Sequence, residues 1–357
     1  MKKGVTTKTA HGEHITSPYV ILKVYTDEGI VGIGEATVAP RWSGETSRGC
    51  VAIVEDLFEP ALVGSDPTDI TSVCAKMDEV VKLNPFAKSA VEMALWDILG
   101  KSQDRPLYEL LGGRARDLIP IKMVIGAFDV RHALQLAERF LSEGFTCLKV
   151  KVGLDVDGDV ARVKAVRDIA GPDIRIGVDA NCGWRVEQAV EALRRMEPLD
   201  ILFVEQPVGR DDPTLMAEVR QATSIPVMAD ESVFTPTEAL AIVREGAVDV
   251  ISLYPGKNGA ITASRRISQI ARSAGIVCHM GSNLELGVAT AAMAHLAAAD
   301  QTIDSETYPA DILGPLYHDH DLLTESVSIG PHGACPPEGP GLGVSLDEDA
   351  LNKYRAG

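Results

Sequence analysis

A (β/α) barrel set behind a smaller α+β domain is the fold that this 357-residue sequence predicts. From residue 121 onward, short β-branched runs recur at intervals of 23 to 28 residues, each followed by a helical pattern. Such runs lack strict alternation, as parallel strands buried on both faces do. Before residue 120 that rhythm is absent, and a hairpin pattern followed by helical patterns takes its place. No Gly-rich fingerprint follows the first barrel strand, which counts against a doubly wound dinucleotide-binding sheet.

Residues 19–25 and 31–35 alternate around Asp27-Glu28-Gly29, a hairpin signal. Helices are expected over 46–61, 67–81 and 86–102, the last opening at Asn84-Pro85 with Ala90, Met93, Ala94 and Asp97 on one face. Eight strands then follow: IKMVI at 121, TCLKV at 146, IRIGVD at 174, ILFVE at 201, PVMAD at 226, DVISL at 249, IVCHM at 276 and TIDSE at 302. Eight such repeats suit a barrel of about 200 residues. Residues 330–343 are rich in Gly and Pro, and the chain is expected to cross back there over the N-terminal domain. The expected boundaries are 1–117 for that domain, 118–315 for the barrel and 316–357 for the returning segment.

Composition excludes several classes of function. The net charge of −17 leaves no basic face for nucleic acid or anionic lipid. The longest weakly polar stretch, 286–299, falls short of a membrane span and contains His295. The start, MKKGVTTKTAHGEH, has no apolar core, so no signal peptide is expected. Six scattered cysteines without a CxxC pair point to a reducing, cytoplasmic setting rather than a zinc or disulfide framework.

Barrel chemistry gathers where strands end. Asp179, Glu205 and Asp230 close three successive strands at intervals of one repeat, so their carboxylates converge. Their repulsion calls for a hard divalent cation, Mg²⁺ first and Mn²⁺ as a substitute. Lys149 and Lys151 project from one side of the second strand. A neighbouring charge and partial burial are expected to lower one of their pKa values toward that of a general base. Lys257 follows the sixth strand and would face Lys151 across the pocket.

These fragments, taken together, resemble the enolase superfamily and, within it, the muconate lactonizing enzyme subgroup of the mandelate racemase/muconate lactonizing enzyme family. WDILGK, LLGG, LKVKVG, VDANCGW, VEQP, ADES, GKNGA and NLEL carry the likeness along nearly the whole chain. The resemblance implies a modified TIM barrel, (β/α)7β, with an N-terminal capping domain completed by the C-terminal segment. It implies Mg²⁺ on Asp179, Glu205 and Asp230, with Lys151 and Lys257 as acid/base groups on opposite faces of a small carboxylate substrate. Lys149 would assist Lys151, Asn181 would lie beside the metal, and Glu285 would reach the substrate or the acid/base network. A homo-oligomer is also expected.

The mandelate racemase subgroup would pair a strand-seven His with a strand-six acid. His279 is present, but Tyr254 stands five residues before Gly259, so the dyad is incomplete and His279 is expected to be structural or a substrate contact. Only the short run VTTKTA stands as a strand ahead of His11, where the family usually has a full strand ahead of a mobile loop, so the chain is expected to be shortened at its N-terminus, in the first capping strand and part of the lid. The polar stretches 8–14 and 41–45 lie where the family has its two lid loops, and Trp42 is expected in the core or as cover. The implied chemistry is proton transfer next to a carboxylate through a stabilised enolate. Cycloisomerisation of a muconate-type dicarboxylate is the first expectation. Racemisation or epimerisation of an amino-acid derivative, dipeptide or proline-type carboxylate comes second, and a non-catalytic metal-binding barrel, disfavoured by three intact lysines, third.

Overall fold

The computed structural model describes residues 7–14 and 17–355. The described residues begin with a short antiparallel hairpin, β1 (Thr7–Thr9) and β2 (Gly12–His14), and a longer one follows, β3 (Val20–Tyr25) and β4 (Val31–Ala36). The expected first-strand stretch VTTKTA lies in part outside the described residues, and its described end pairs as β1. The helix expected over 46–61 is interrupted: Ser47–Ile53 runs into a π-helical turn, Val54–Phe58, and then Glu59–Leu62. Helices Ile70–Val80 and Pro85–Ser102 complete this domain. Helix Pro85–Ser102 lies directly on β4, because a Cβ on Gly34 would stand 1.8 Å from the Ala90 carbonyl oxygen. Ala36, Phe58, Val73, Met77, Phe86 and Leu95 form the small core between them.

Seven parallel strands follow in sequence order: β5 (Met123–Ile125), β6 (Cys147–Lys151), β7 (Arg175–Asp179), β8 (Ile201–Glu205), β9 (Val227–Ala229), β10 (Val250–Leu253) and β11 (Val277–Met280). The crossover helices turn apolar stripes inward. In Val130–Ser142, for example, Ala133, Leu136, Ala137 and Phe140 are buried at i, i+3, i+4 and i+7. The expected eighth strand, TIDSE, is not a regular strand. Single parallel bridges, Cys278 to Ile303 and Ile121 to Ala310, close the ring there. Between them Asp304 accepts from the backbone of Thr307, and Pro309 has no N–H to give a ladder. The architecture is therefore the modified TIM barrel, (β/α)7β, with an N-terminal capping domain.

Cap and barrel meet through buried carboxylates placed on backbone amides. Glu35, on β4, accepts from Leu286 N at 2.7 Å and Ala289 N at 3.0 Å, at the start of helix Gly287–Ala299. Glu92 accepts from Ile261 N and Thr262 N at the start of helix Ile261–Ser273. Helix N-termini offer free N–H groups and a positive dipole end, so each carboxylate caps a barrel helix from the other domain. The returning C-terminal segment joins the same seam: Leu342 N donates to Asp97 Oδ1 at 2.9 Å, and Lys23 pairs with Glu348 at 2.6 Å.

Candidate active site

A cavity of about 410 Å³ opens at the C-terminal ends of the strands. Lys149, Lys151, Asp179, Asn181, Glu205, Asp230, Tyr254 and Asp311 line it from the barrel, and His11, Glu13, Arg41 and Trp42 line it from the cap. Strand register explains the convergence. Lys151 pairs with Asp179 and Asp179 with Glu205, so three charged groups stand in one row across β6, β7 and β8. Asp230 follows the end of β9. Its amide donates to Gln206 Oε1 at 3.0 Å, as does Ser232 N at 3.1 Å, so the buried Gln206 side chain ties the loops after β8 and β9 together. A Cβ on Gly183 would stand 2.2 Å from the Gly153 carbonyl oxygen, so the loops after β6 and β7 approach as closely as glycine allows.

Asp179, Glu205 and Asp230 are 1%, 1% and 6% exposed. Each takes an ammonium partner: Asp179 has Lys151 at 2.5 Å, Glu205 has Lys149 at 2.8 Å and Asp230 has Lys257 at 2.7 Å. Burial raises Asp179 to about 6 and Asp230 to about 8, against the pull of their lysines. Glu205 falls to about 2, because Lys149 and further cations outweigh its burial. Lys149 does not follow the expected lowering. Burial pushes its pKa down, but Asp311, Glu205 and Asp179 together hold it well above the ordinary lysine value.

Lys257 is fully buried behind Asp230 and Tyr254, outside the cavity lining, and its ammonium donates to Asp230 Oδ1, Asp230 O and Ser252 O. Lys151 donates to Asp179 and to Asn181 Oδ1 at 2.9 Å. Glu285 is also outside the lining. Its carboxylate accepts from Ser282 Oγ and Asn283 N, shaping the 282–284 turn that does line the cavity.

Two family models match the chain. "Mandelate racemase / muconate lactonizing enzyme, N-terminal domain" covers residues 2–112, and "Enolase C-terminal domain-like" covers residues 132–350. The chain belongs to the mandelate racemase/muconate lactonizing enzyme family. It is 34% identical to N-succinyl-L-Arg/Lys racemase of Bacillus cereus over 96% of this chain and 92% of that protein. It is 35% identical to muconate cycloisomerase 1 of Rhodococcus opacus over 94% and 91%. The crystal structure of dipeptide epimerase from Enterococcus faecalis, complexed with Mg and the dipeptide L-Leu-L-Tyr, superposes with a TM-score of 0.90 at 35% identity, covering 95% of each chain. All three relatives are isomerases, the enzyme class expected from the sequence. Among the described residues no helix is long and apolar enough to cross a membrane.

With the family in place, the remaining charges of the barrel find their meaning. Asp311, which sequence reasoning missed, lies 2.5 Å from Lys149 and 3.0 Å from Lys122. Lys122, also missed, is fully buried and reaches His279 Nε2 at 2.5 Å. His279 Nδ1 meets Ser252 Oγ at 3.1 Å, and burial with Lys122 beside it lowers the imidazole to about 3. His279 is thus a neutral, structural histidine outside the cavity lining. Glu205, His279 and Asp311 come within ligand distance of one another, but Lys122 and Lys149 already fill the space among them. The signals for the missed pair were an acid in the PADIL stretch and a lysine inside the apolar run IKMVI. Trp42 both packs and faces the cavity: its ring stacks on Tyr254 at 5.6 Å and contacts Phe86 and Phe234.

Proposed function

We propose that this protein is a Mg²⁺-dependent racemase or epimerase of an N-acylated amino acid or dipeptide, exchanging the proton on the carbon next to the carboxylate. The donor set suits the ion. Asp179, Glu205 and Asp230 are three buried carboxylates at consecutive strand ends, two of them held above their ordinary pKa, which is where a hard divalent cation is most favourable. Bound there, Mg²⁺ or Mn²⁺ would hold the substrate carboxylate and stabilise negative charge developing on it.

The observation that carries the reading is the placement of the two lysines. Lys151 ends the second strand and Lys257 follows the sixth, four strands round the ring, which supports a reading in which they would approach an α-carbon from opposite sides. Lys257 donates to Asp230 and to Ser252 O, and in this reading Asp230, once it holds the cation, would release Lys257 toward the substrate. Lys151 has two acceptors and lines the cavity, which leaves one N–H direction for the substrate. Lys149, fixed as a cation by Asp311 and Glu205, adds positive charge beneath the developing enolate. Asn181 sets Lys151, and Glu285 shapes the 282–284 wall.

Muconate-type cycloisomerisation is the second reading, and the far end of the cavity weighs against it. A muconate ends in a second carboxylate. The lid presents both Glu13 and Arg41 to the cavity, and one guanidinium nitrogen of Arg41 already donates to the His11 carbonyl oxygen. That mixed lining, with Thr9, Ser17 and Trp42, suits an amide and a polar or cationic tail better than a second anion. The test is α-proton exchange by NMR in deuterium oxide with Mg²⁺, using N-succinyl-arginine, N-succinyl-lysine and L-Leu-L-Tyr. Exchange with loss of optical rotation is expected. Consumption of cis,cis-muconate with no exchange from any of the three would overturn the proposal in favour of the cycloisomerase.

A further inference from the structure

The hairpin β1–β2 spans the mouth of the cavity. At one end Ala127 N, just after β5, donates to Lys8 O at 2.7 Å. At the other, His11 at the hairpin tip places Nε2 3.1 Å from Glu231 Oε1, just after β9. These anchor points belong to the first and fifth strands of the ring, on opposite sides. The Glu231 side chain is 2% exposed, and its Oε2 is buried without a hydrogen-bond partner, so the orientation of the carboxylate depends on what Oε1 receives.

The same Oε1 also accepts from Asn181 Nδ2 at 3.0 Å, and Asn181 Oδ1 accepts from Lys151 Nζ at 2.9 Å. Three hydrogen bonds therefore run from the lid, through a buried carboxylate, to the ammonium of Lys151. Asn181 and the next residue, Cys182, adopt φ of 43° and 64°, a left-handed conformation held by its surroundings. The Asn181 amide is fixed on Asp179 Oδ1 at 2.9 Å. With its backbone pinned, the orientation of the Asn181 side chain rests on Glu231 at one end and Lys151 at the other.

We infer that His11 and Glu231 are positioning residues that make the seating of the lid hairpin a condition for the alignment of Lys151. The inference rests on the reading of Lys151 as one of two acid/base groups. A seated hairpin donates from His11 to Glu231, which fixes the Asn181 amide and aims Lys151 at the substrate. A lifted hairpin leaves Glu231 with Asn181 alone, and Lys151 keeps Asp179 but loses a fixed second acceptor. No change of protonation is needed; the lid acts through hydrogen-bond geometry. Because the chain ends on Lys151 and not on Lys257, its loss acts on one face of the substrate only.

The test uses the full-length, Mg²⁺-loaded protein with L- and D-N-succinyl-arginine in deuterium oxide. Lys151→Ala and Lys257→Ala first assign which enantiomer each lysine exchanges. If both variants exchange both enantiomers, the assignment of the bases fails and the inference falls with it. With the bases assigned, His11→Ala and Glu231→Ala should slow exchange of the Lys151 enantiomer roughly tenfold to a hundredfold in kcat, with KM little changed. The other enantiomer should exchange as in the unmodified protein. His11→Gln and Glu231→Gln, which keep the donor and the acceptor, should restore most of the rate. Equal slowing of both enantiomers, or a rise in KM alone, would overturn the inference. A substrate-free measurement stands beside it: backbone hydrogen exchange over residues 180–184 should accelerate in His11→Ala, and unchanged exchange there would equally overturn it.

Discussion

Buried carboxylates do two different jobs in this molecule, and their partners tell them apart. On the seam between cap and barrel, Glu35 and Glu92 rest on backbone amides at helix starts. In the site, Asp179, Glu205 and Asp230 rest on lysine side chains. An amide at a helix N-terminus cannot move without unwinding the helix, so a carboxylate placed on it acts as a rivet. An ammonium on a four-carbon stem can leave for another partner, so a carboxylate paired with it can take up a cation or release the lysine to a substrate. Both sets lie out of water. The difference lies in which partner is free to exchange.

The largest effect should come from removing the exchangeable partner on the proposed site. Chelation is expected to abolish turnover, and Mg²⁺ or Mn²⁺ to restore it. Added Mg²⁺ should also stabilise the fold, by about 2.7 kcal/mol at a hundredfold excess over Kd, read as a rise in melting temperature. Neither a loss on chelation nor a shift with Mg²⁺ would mean that the site carboxylates are structural like those on the seam. Next in size, Lys151→Ala should lower kcat by about 10² to 10⁴ while the melting temperature with Mg²⁺ stays close to that of the unmodified protein. Full turnover in that variant would remove Lys151 from the chemistry.

The two sets differed as sharply in how legible they were. The site acids stand at strand ends, and strand ends recur with the repeat, so Asp179, Glu205 and Asp230 can be picked out by counting. Lys149 and Lys151 follow from side-chain alternation on β6. Asp311 escaped because its strand is broken into single bridges and lost the rhythm that marked the others. Lys122 escaped because an apolar run hides which face its one charge takes. Glu35 and Glu92 had no signal at all: their partners are amides more than 160 residues away, and nothing in a helical or alternating pattern reports a contact at that range. The His11–Glu231 contact is of the same kind, spanning 220 positions.

On the seam the expected effects are on stability and not on turnover. Glu92→Ala leaves the buried amide of Ile261 without an acceptor, at roughly 1–3 kcal/mol, and the partly buried amide of Thr262 as well. Urea unfolding should show the loss, while kcat measured where the variant is folded stays unchanged. A variant that unfolds normally but turns over slowly would place Glu92 among the exchangeable set instead.

The smallest and sharpest test concerns Glu35 and pH. Burial raises its pKa to about 8 against the amides that lower it, so the folded protein holds a proton there that the unfolded chain releases near its ordinary value of 4.5. Between those two values the native state binds more protons than the unfolded one, and stability must fall as pH rises. The contribution is fully present below about 4.5 and is lost once pH passes about 8. Glu35→Gln cannot titrate, so its stability should decline less steeply over that window. Saturating Mg²⁺ in both proteins holds the site carboxylates ionised, so the difference between the two curves belongs to Glu35 and to Glu285, whose charge it feels. A difference that grows with pH would show that the rivet carries a proton at the helix start. Parallel curves would show that two amides and a helix dipole suffice to keep a fully buried carboxylate charged, and the seam and the site would then differ only in whether the partner can leave.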